Sequence, residues 1–117
     1  MTTRNTPCWW LDGFTLRAGT LDDLSFLIPQ ATRPTGIGPE YYVTENDEDG
    51  TNLWAIARWM SGWERVVETF ATESEAQAEL ESLHCKQILA SEDVEIYLER
   101  EPAENFLAEL LAEREGA

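Results

Sequence analysis

Short stretches of this chain alternate between apolar and polar positions, and two longer ones repeat apolar residues at helical spacing. Cys8, Trp9, Trp10 and Leu11 run into Asp12 and Gly13, a turn signal, and the apolar character resumes at Phe14 and Leu16. This predicts a strand or a very short hairpin over 8–17. Thr20 then stands as N-cap of a short helix over 21–28, with Asp22 and Asp23 in the first turn, where the helix dipole favours anions. Pro29 ends it. Residues 29–39 hold Pro29, Pro34, Pro39, Gly36 and Gly38 without periodicity, which predicts a Pro/Gly loop, a connector or an exposed contact loop.

Three β-branched and aromatic runs follow, at 41–45, 53–59 and 63–70, separated by Gly50 and Gly62 turns. They predict an antiparallel meander. Trp59 and Trp63 flank the second turn, as a cross-strand aromatic pair would. Thr72, Glu73, Ser74 and Glu75 then match the capping box, in which the threonine hydroxyl accepts the amide three residues on. In the helix this starts, Ala76, Leu80, Leu83 and Gln87 share one face that can pack on the sheet, with Glu75 and Glu79 on its flank. Val94, Ile96 and Leu98 alternate with Glu95, Tyr97 and Glu99, which argues for a strand with one apolar and one acidic side; helix is the competing reading for 94–100. Pro102 suits the first turn of a last helix, whose stripe is Phe106, Leu107, Leu110 and Leu111.

The expected fold class is α+β in a single domain over 1–117. It consists of a small, mostly antiparallel sheet, the three-stranded meander plus one or two further strands, packed by two or three helices. A length of 117 residues and 43% hydrophobic content, with five tryptophans, are enough for a folded core.

Charge changes the picture. Twenty-three acidic residues against eight basic ones give a net charge of −15, well beyond the magnitude of about 2–8 that solubility needs. Residues 1–39 balance three acids with three arginines. Residues 40–90 carry eleven acids against three bases, and residues 91–117 nine against two, so the excess lies in the last two-thirds. Salt adaptation is a competing reading of this charge, but glutamates outnumber aspartates 17 to 6 and large aromatics are abundant, which favours a binding role over it. Direct nucleic-acid or anionic-membrane binding is not expected, because each phosphate contact needs a cation. A basic protein surface is the partner such a field attracts. The N-terminus lacks an apolar targeting core and no run approaches a membrane span, so the expected location is the cytoplasm. Cys8 and Cys85, far apart in sequence, are read as reduced thiols.

Catalytic patterns do not emerge. Gly36, Ile37 and Gly38 lack the lysine and glycine spacing of a phosphate loop, and no Gly-x-Ser-x-Gly or His-Glu-x-x-His occurs. His84, the one histidine, adjoins Cys85, and with Cys8 makes three thiol or imidazole groups where a structural zinc wants four; it is read as flanking its helix end. No cofactor, metal or enzyme activity is expected.

The candidate binding residues are therefore acidic: Glu45, Asp47, Glu48 and Asp49 at the meander turn, Glu68 on its last strand, Glu73, Glu75 and Glu79 on the helix after it, and Glu95 and Glu99 nearer the C-terminus. Same-flank helix neighbours stand about 5–6 Å apart at Cβ. One DNA strand presents a phosphate about every 3.4 Å, so such rows imitate a phosphate backbone at lower density. With acidic runs such as Asp47 to Asp49 and the Glu73/Glu75 pair, the chain resembles the small acidic inhibitors of phages and mobile elements that mimic DNA, anti-CRISPR and anti-restriction proteins among them. The likeness rests on charge and size. It implies an inhibitor that occupies the nucleic-acid-binding surface of a host defence nuclease or CRISPR surveillance complex. Two further readings fit the same composition: an immunity or antitoxin-like protein neutralising a basic toxin, and an adaptor using exposed aromatics such as Trp9, Trp10, Trp59 or Trp63.

Overall fold

The computed structural model describes residues 2–46 and 53–116. The fold is α+β, with eight strands in three antiparallel sheets and three helices among the described residues. The chain forms two compact units, one from Met1–Leu27 with Ile88–Ala117, the other from Ile28–Gln87.

In the first unit, β1 (Pro7–Asp12) and β2 (Thr15–Thr20) form the predicted hairpin, with Asp12 opposite Thr15. Gly13 opens its two-residue turn at φ 64°, which glycine adopts without steric cost. The short helix expected over 21–28 follows, as a 3₁₀ helix over Leu21–Leu27 kinked at Leu24. Pro29 disfavours α geometry just ahead of it, which leaves too few residues for a regular helix. The capping also runs the other way. Thr20 ends β2 and donates its N–H to Asp23 Oδ2 at 2.9 Å. Leu21 and Leu24 are fully buried, beside Cys8 among the largest core side chains.

β8 is only Ile96–Tyr97, antiparallel to β1, with Trp9 opposite Tyr97 and Trp10 opposite Ile96. The strand expected over 94–100 is cut short because α2 (Arg100–Gly116) already begins at Arg100. Its sidedness changes too. Tyr97, expected on the acidic outer side, sits 6.0 Å from the Phe106 ring of α2, while Leu98 is exposed. α2 packs on β1, β2 and β8. Ala103 is its buried residue, Phe106, Leu107 and Leu110 are half-buried, and Leu111 is left outside.

Gly19 marks a close approach in this unit. A Cβ there would lie 2.9 Å from Trp10 Cη2 and nearer still to Asp23 Oδ2. Gly19→Ala is therefore expected to displace the indole and the Asp23–Thr20 bond, destabilising the fold by about 1–3 kcal/mol. Urea denaturation would measure this, and an unchanged midpoint would show that Trp10 does not need that space.

The second unit opens on a correction. Residues 29–39 are not a loop but largely a hairpin, β3 (Gln30–Arg33) and β4 (Gly36–Pro39), with Arg33 opposite Gly36. Pro34 presets φ for the turn, and Gly36 takes φ 122°, closed to a β-branched residue. Gly38 is buried under the Arg33 guanidinium, which a Cβ would strike. The bare Gly38 makes room for Arg33, and together with Gly36 it erases the alternation from the sequence.

The meander is as expected: β5 (Tyr41–Asn46), β6 (Leu53–Met60) and β7 (Trp63–Phe70), in the order β5-β6-β7. Ser61 (φ 47°) and Gly62 (φ 96°) make the β6–β7 turn, and two positive φ values define the type I′ geometry that suits strand twist. This two-residue turn puts Met60 opposite Trp63 and Trp59 opposite Glu64, so the expected Trp59–Trp63 pair does not form. Ala55, Ile56 and Ala57 on the central strand are buried. Thr72 caps α1 (Glu73–Leu89), its Oγ1 accepting the Glu75 N–H at 3.2 Å. His84 does not flank the helix end. It is buried more than a turn earlier, with Nε2 3.4 Å from the Tyr41 carbonyl oxygen of β5.

Candidate protein-binding surfaces

Of the ten acidic candidates, Asp47, Glu48 and Asp49 lie outside the described residues. The other seven, Glu45, Glu68, Glu73, Glu75, Glu79, Glu95 and Glu99, are all exposed. The ion pairs among the described residues are Arg4–Asp22, Arg17–Asp12, Arg58–Glu40 and Arg100–Glu104, so none of the seven is neutralised by one. Their charge faces solvent.

The structure divides them. Register puts Glu45 opposite Trp54 and Glu68 opposite Ile56. Trp54 and Ile56 are two residues apart on β6, so both glutamates project from one face of the meander, two strands apart and offset by two residues, about 12 Å in all. On α1, Glu75 and Glu79 are separated by about 40° around the helix axis, whereas Glu73 stands about 200° from Glu75. The helix trio expected to act together is thus a pair and an outlier. Glu95 and Glu99 belong to the first unit, the other five to the second.

The Glu45/Glu68 face is also not uniformly acidic, which the sequence did not reveal. Tyr41, Arg58 and Arg65 stand in one cross-strand row on that same face. Arg58 is bound to Glu40, with Nη2 and Nε at 2.6 and 2.7 Å from Oε1, and its guanidinium lies 5.4 Å from the Tyr41 ring centroid. Arg65 makes no ion pair among the described residues. Together with Met60, Val66 and Val67 these three residues line a shallow cleft of about 240 Å³. Two guanidinium groups beside the Met60 side chain make one end of this face a poor imitation of phosphate. The register that creates the row could not be read without knowing where β6 turns.

On the opposite face, Tyr42 donates its hydroxyl proton to Glu64 Oε2, and Arg33 stacks over its ring at 4.4 Å. Burial first, then the Glu64 hydrogen bond and charge, push the Tyr42 hydroxyl up to about 12, against the opposing pull of Arg33. A raised pKa means that the folded state holds its proton more tightly. The stabilisation is complete below the ordinary tyrosine value of about 10 and is lost as pH climbs from there through about 12. Glu64→Gln should bring the Tyr42 transition back towards 10 in an ultraviolet alkaline titration. A titration curve that does not move would assign the shift to burial alone.

In the first unit, burial and then Glu95 raise the Tyr97 hydroxyl, with a smaller contribution from Glu109. Tyr97 of β8 thus feels both Glu95 beside it in sequence and Glu109 on α2. Burial and Asp23 likewise push the Cys8 thiol up, which favours its protonated, unreactive form. Both Cys8 and Cys85 are buried thiols. Among the described residues, no three His, Cys, Asp or Glu side chains gather as a metal site would require, and no helix is long and apolar enough to cross a membrane.

Comparison with protein-family models, with curated proteins and with solved structures gave no match to this chain.

Proposed function

We propose that this protein is an acidic protein-binding inhibitor that occupies the nucleic-acid-binding surface of a basic partner, as a DNA mimic does to a defence nuclease or a CRISPR surveillance complex. The observation that carries this reading is the exposure of all seven described candidates without an ion pair among them. Like charges at i,i+4, as at Glu75/Glu79, each cost a helix about 0.2–0.5 kcal/mol, and a field kept at that cost suits capture of a cationic surface. The Glu75/Glu79 flank is the stronger half of the candidate surface, because the meander face mixes its glutamates with Arg58 and Arg65. The mechanism is steric occlusion, with association accelerated by electrostatic steering. It needs no cofactor, and its compartment is the cytoplasm, where such targets meet DNA.

The test is capture from a host lysate at low and at high salt, followed by competition with duplex DNA. Recovery of a nuclease or effector subunit that both salt and DNA release supports the proposal. Recovery of one small toxin that DNA does not displace favours an immunity protein. Capture of nothing basic, or binding of the protein itself to DNA, refutes both.

A further inference from the structure

β7 is an edge strand, and among the described residues nothing hydrogen-bonds to its outer side. Every residue from Trp63 to Thr69 is exposed, including three large apolar ones, Trp63 (54%), Val66 (38%) and Val67 (54%). Such an edge, eight residues long, is a template for another strand, which proteins blunt with charged side chains, above all lysine, with proline or with a bulge. β7 has no lysine or proline, and its Glu64, Arg65 and Glu68 admit only a partner strand that answers those charges.

What it contains instead is a bulge. Val66 stands opposite Ala57 and Glu68 opposite Ile56, leaving Val67 as the extra residue. In an unbulged strand, residues of opposite parity point to opposite faces. The extra residue resets this alternation. Trp63, Arg65, Glu68 and Phe70 share one face, and Glu64, Val66 and Thr69 the other. The strand thereby becomes self-complementary about its midpoint.

We propose that β7 pairs antiparallel with β7 of a second copy of this chain, about a two-fold axis between Val66 and Val67. In that register Trp63 meets Phe70, Glu64 meets Thr69, Arg65 meets Glu68 and Val66 meets Val67, each pair occurring twice by symmetry. Aromatic–aromatic and opposite-charge pairs are the combinations that stabilise directly facing positions. The three outer pairs each join residues from the same face, as an extended sheet requires. A slip of one residue brings Glu64 against Glu68 in one direction and against Phe70 in the other, and a slip of two sets Trp63 against Glu68 or Arg65 against Phe70. Only the register centred between Val66 and Val67 sets Arg65 against Glu68, and it gives Arg65 a counter-ion that it lacks among the described residues.

Two copies at −15 each repel at long range. Dimerisation should therefore strengthen as salt screens the charge, the opposite of the response expected for a basic partner. Sedimentation velocity across protein and salt concentration, on the purified protein alone, provides the test. Arg65→Glu and Glu68→Arg should each weaken association by about tenfold or more, because each sets like charges face to face twice. The double variant R65E/E68R should restore it. In its own sheet Arg65→Glu faces Arg58, so loss of the dimer in that variant is not loss of the fold, and circular dichroism checks this. A wild-type protein that stays monomeric to about a millimolar, single variants that associate as wild type does, or a double variant that fails to recover would each overturn the proposal.

Discussion

Reversing Glu75 and Glu79 together to lysine is expected to slow association with a cationic partner by about tenfold or more, while dissociation changes less. The two carboxylates are exposed, unpaired by any cation among the described residues, and on one flank of α1. Reversing Glu73 alone should do much less, although it changes the charge by as much per residue. The reason is distance. A helix with its side chains is about 10–12 Å across, and the screening length in physiological salt is about 8 Å. A charge on the far side is therefore largely screened from a partner docked on the Glu75/Glu79 flank. Surface plasmon resonance against the captured partner, at two salt concentrations, would separate the variants. Equal effects from Glu73 and from the pair would mean that net charge, rather than a face, sets the rate.

Ile56→Ala should cost about 2–5 kcal/mol, a large share of the total of about 5–15 kcal/mol typical of a small protein. Ile56 is 2% exposed in the middle of the central strand, between Val43 on β5 and Glu68 on β7. Removing its side chain leaves a cavity that both neighbouring strands hold open. Val66→Ala, on the exposed edge, is the matched control and should stay within about 0.5 kcal/mol. Guanidinium denaturation followed by near-ultraviolet circular dichroism would report both. An Ile56→Ala variant as stable as Val66→Ala would contradict the placement of the core at β6.

Features that depend on a few neighbouring residues could be read directly from the chain. The Thr72 cap is one, because the hydroxyl and the Glu75 amide lie within a single turn. The meander is another: its strands are dense in aromatic and β-branched residues and its β6–β7 turn needs Gly62. Acidic exposure was legible too, since a carboxylate without a partner does not leave water.

Other features required the tertiary structure. The hairpin at 30–39 was hidden because Gly36 and Gly38 carry no side chain to show alternation, although at Gly38 that absence is what makes room for Arg33. The Trp59–Trp63 pair failed because a turn of two residues, not three, decides what faces what. By itself, then, the sequence determined the charge, its segregation beyond residue 39, and the local starts and stops of most elements. Tertiary structure alone decided the strand register and its bulge, because pairing is settled by contacts between distant residues. From that register follow the Glu45/Glu68 face with its arginine row and the self-complementary edge of β7.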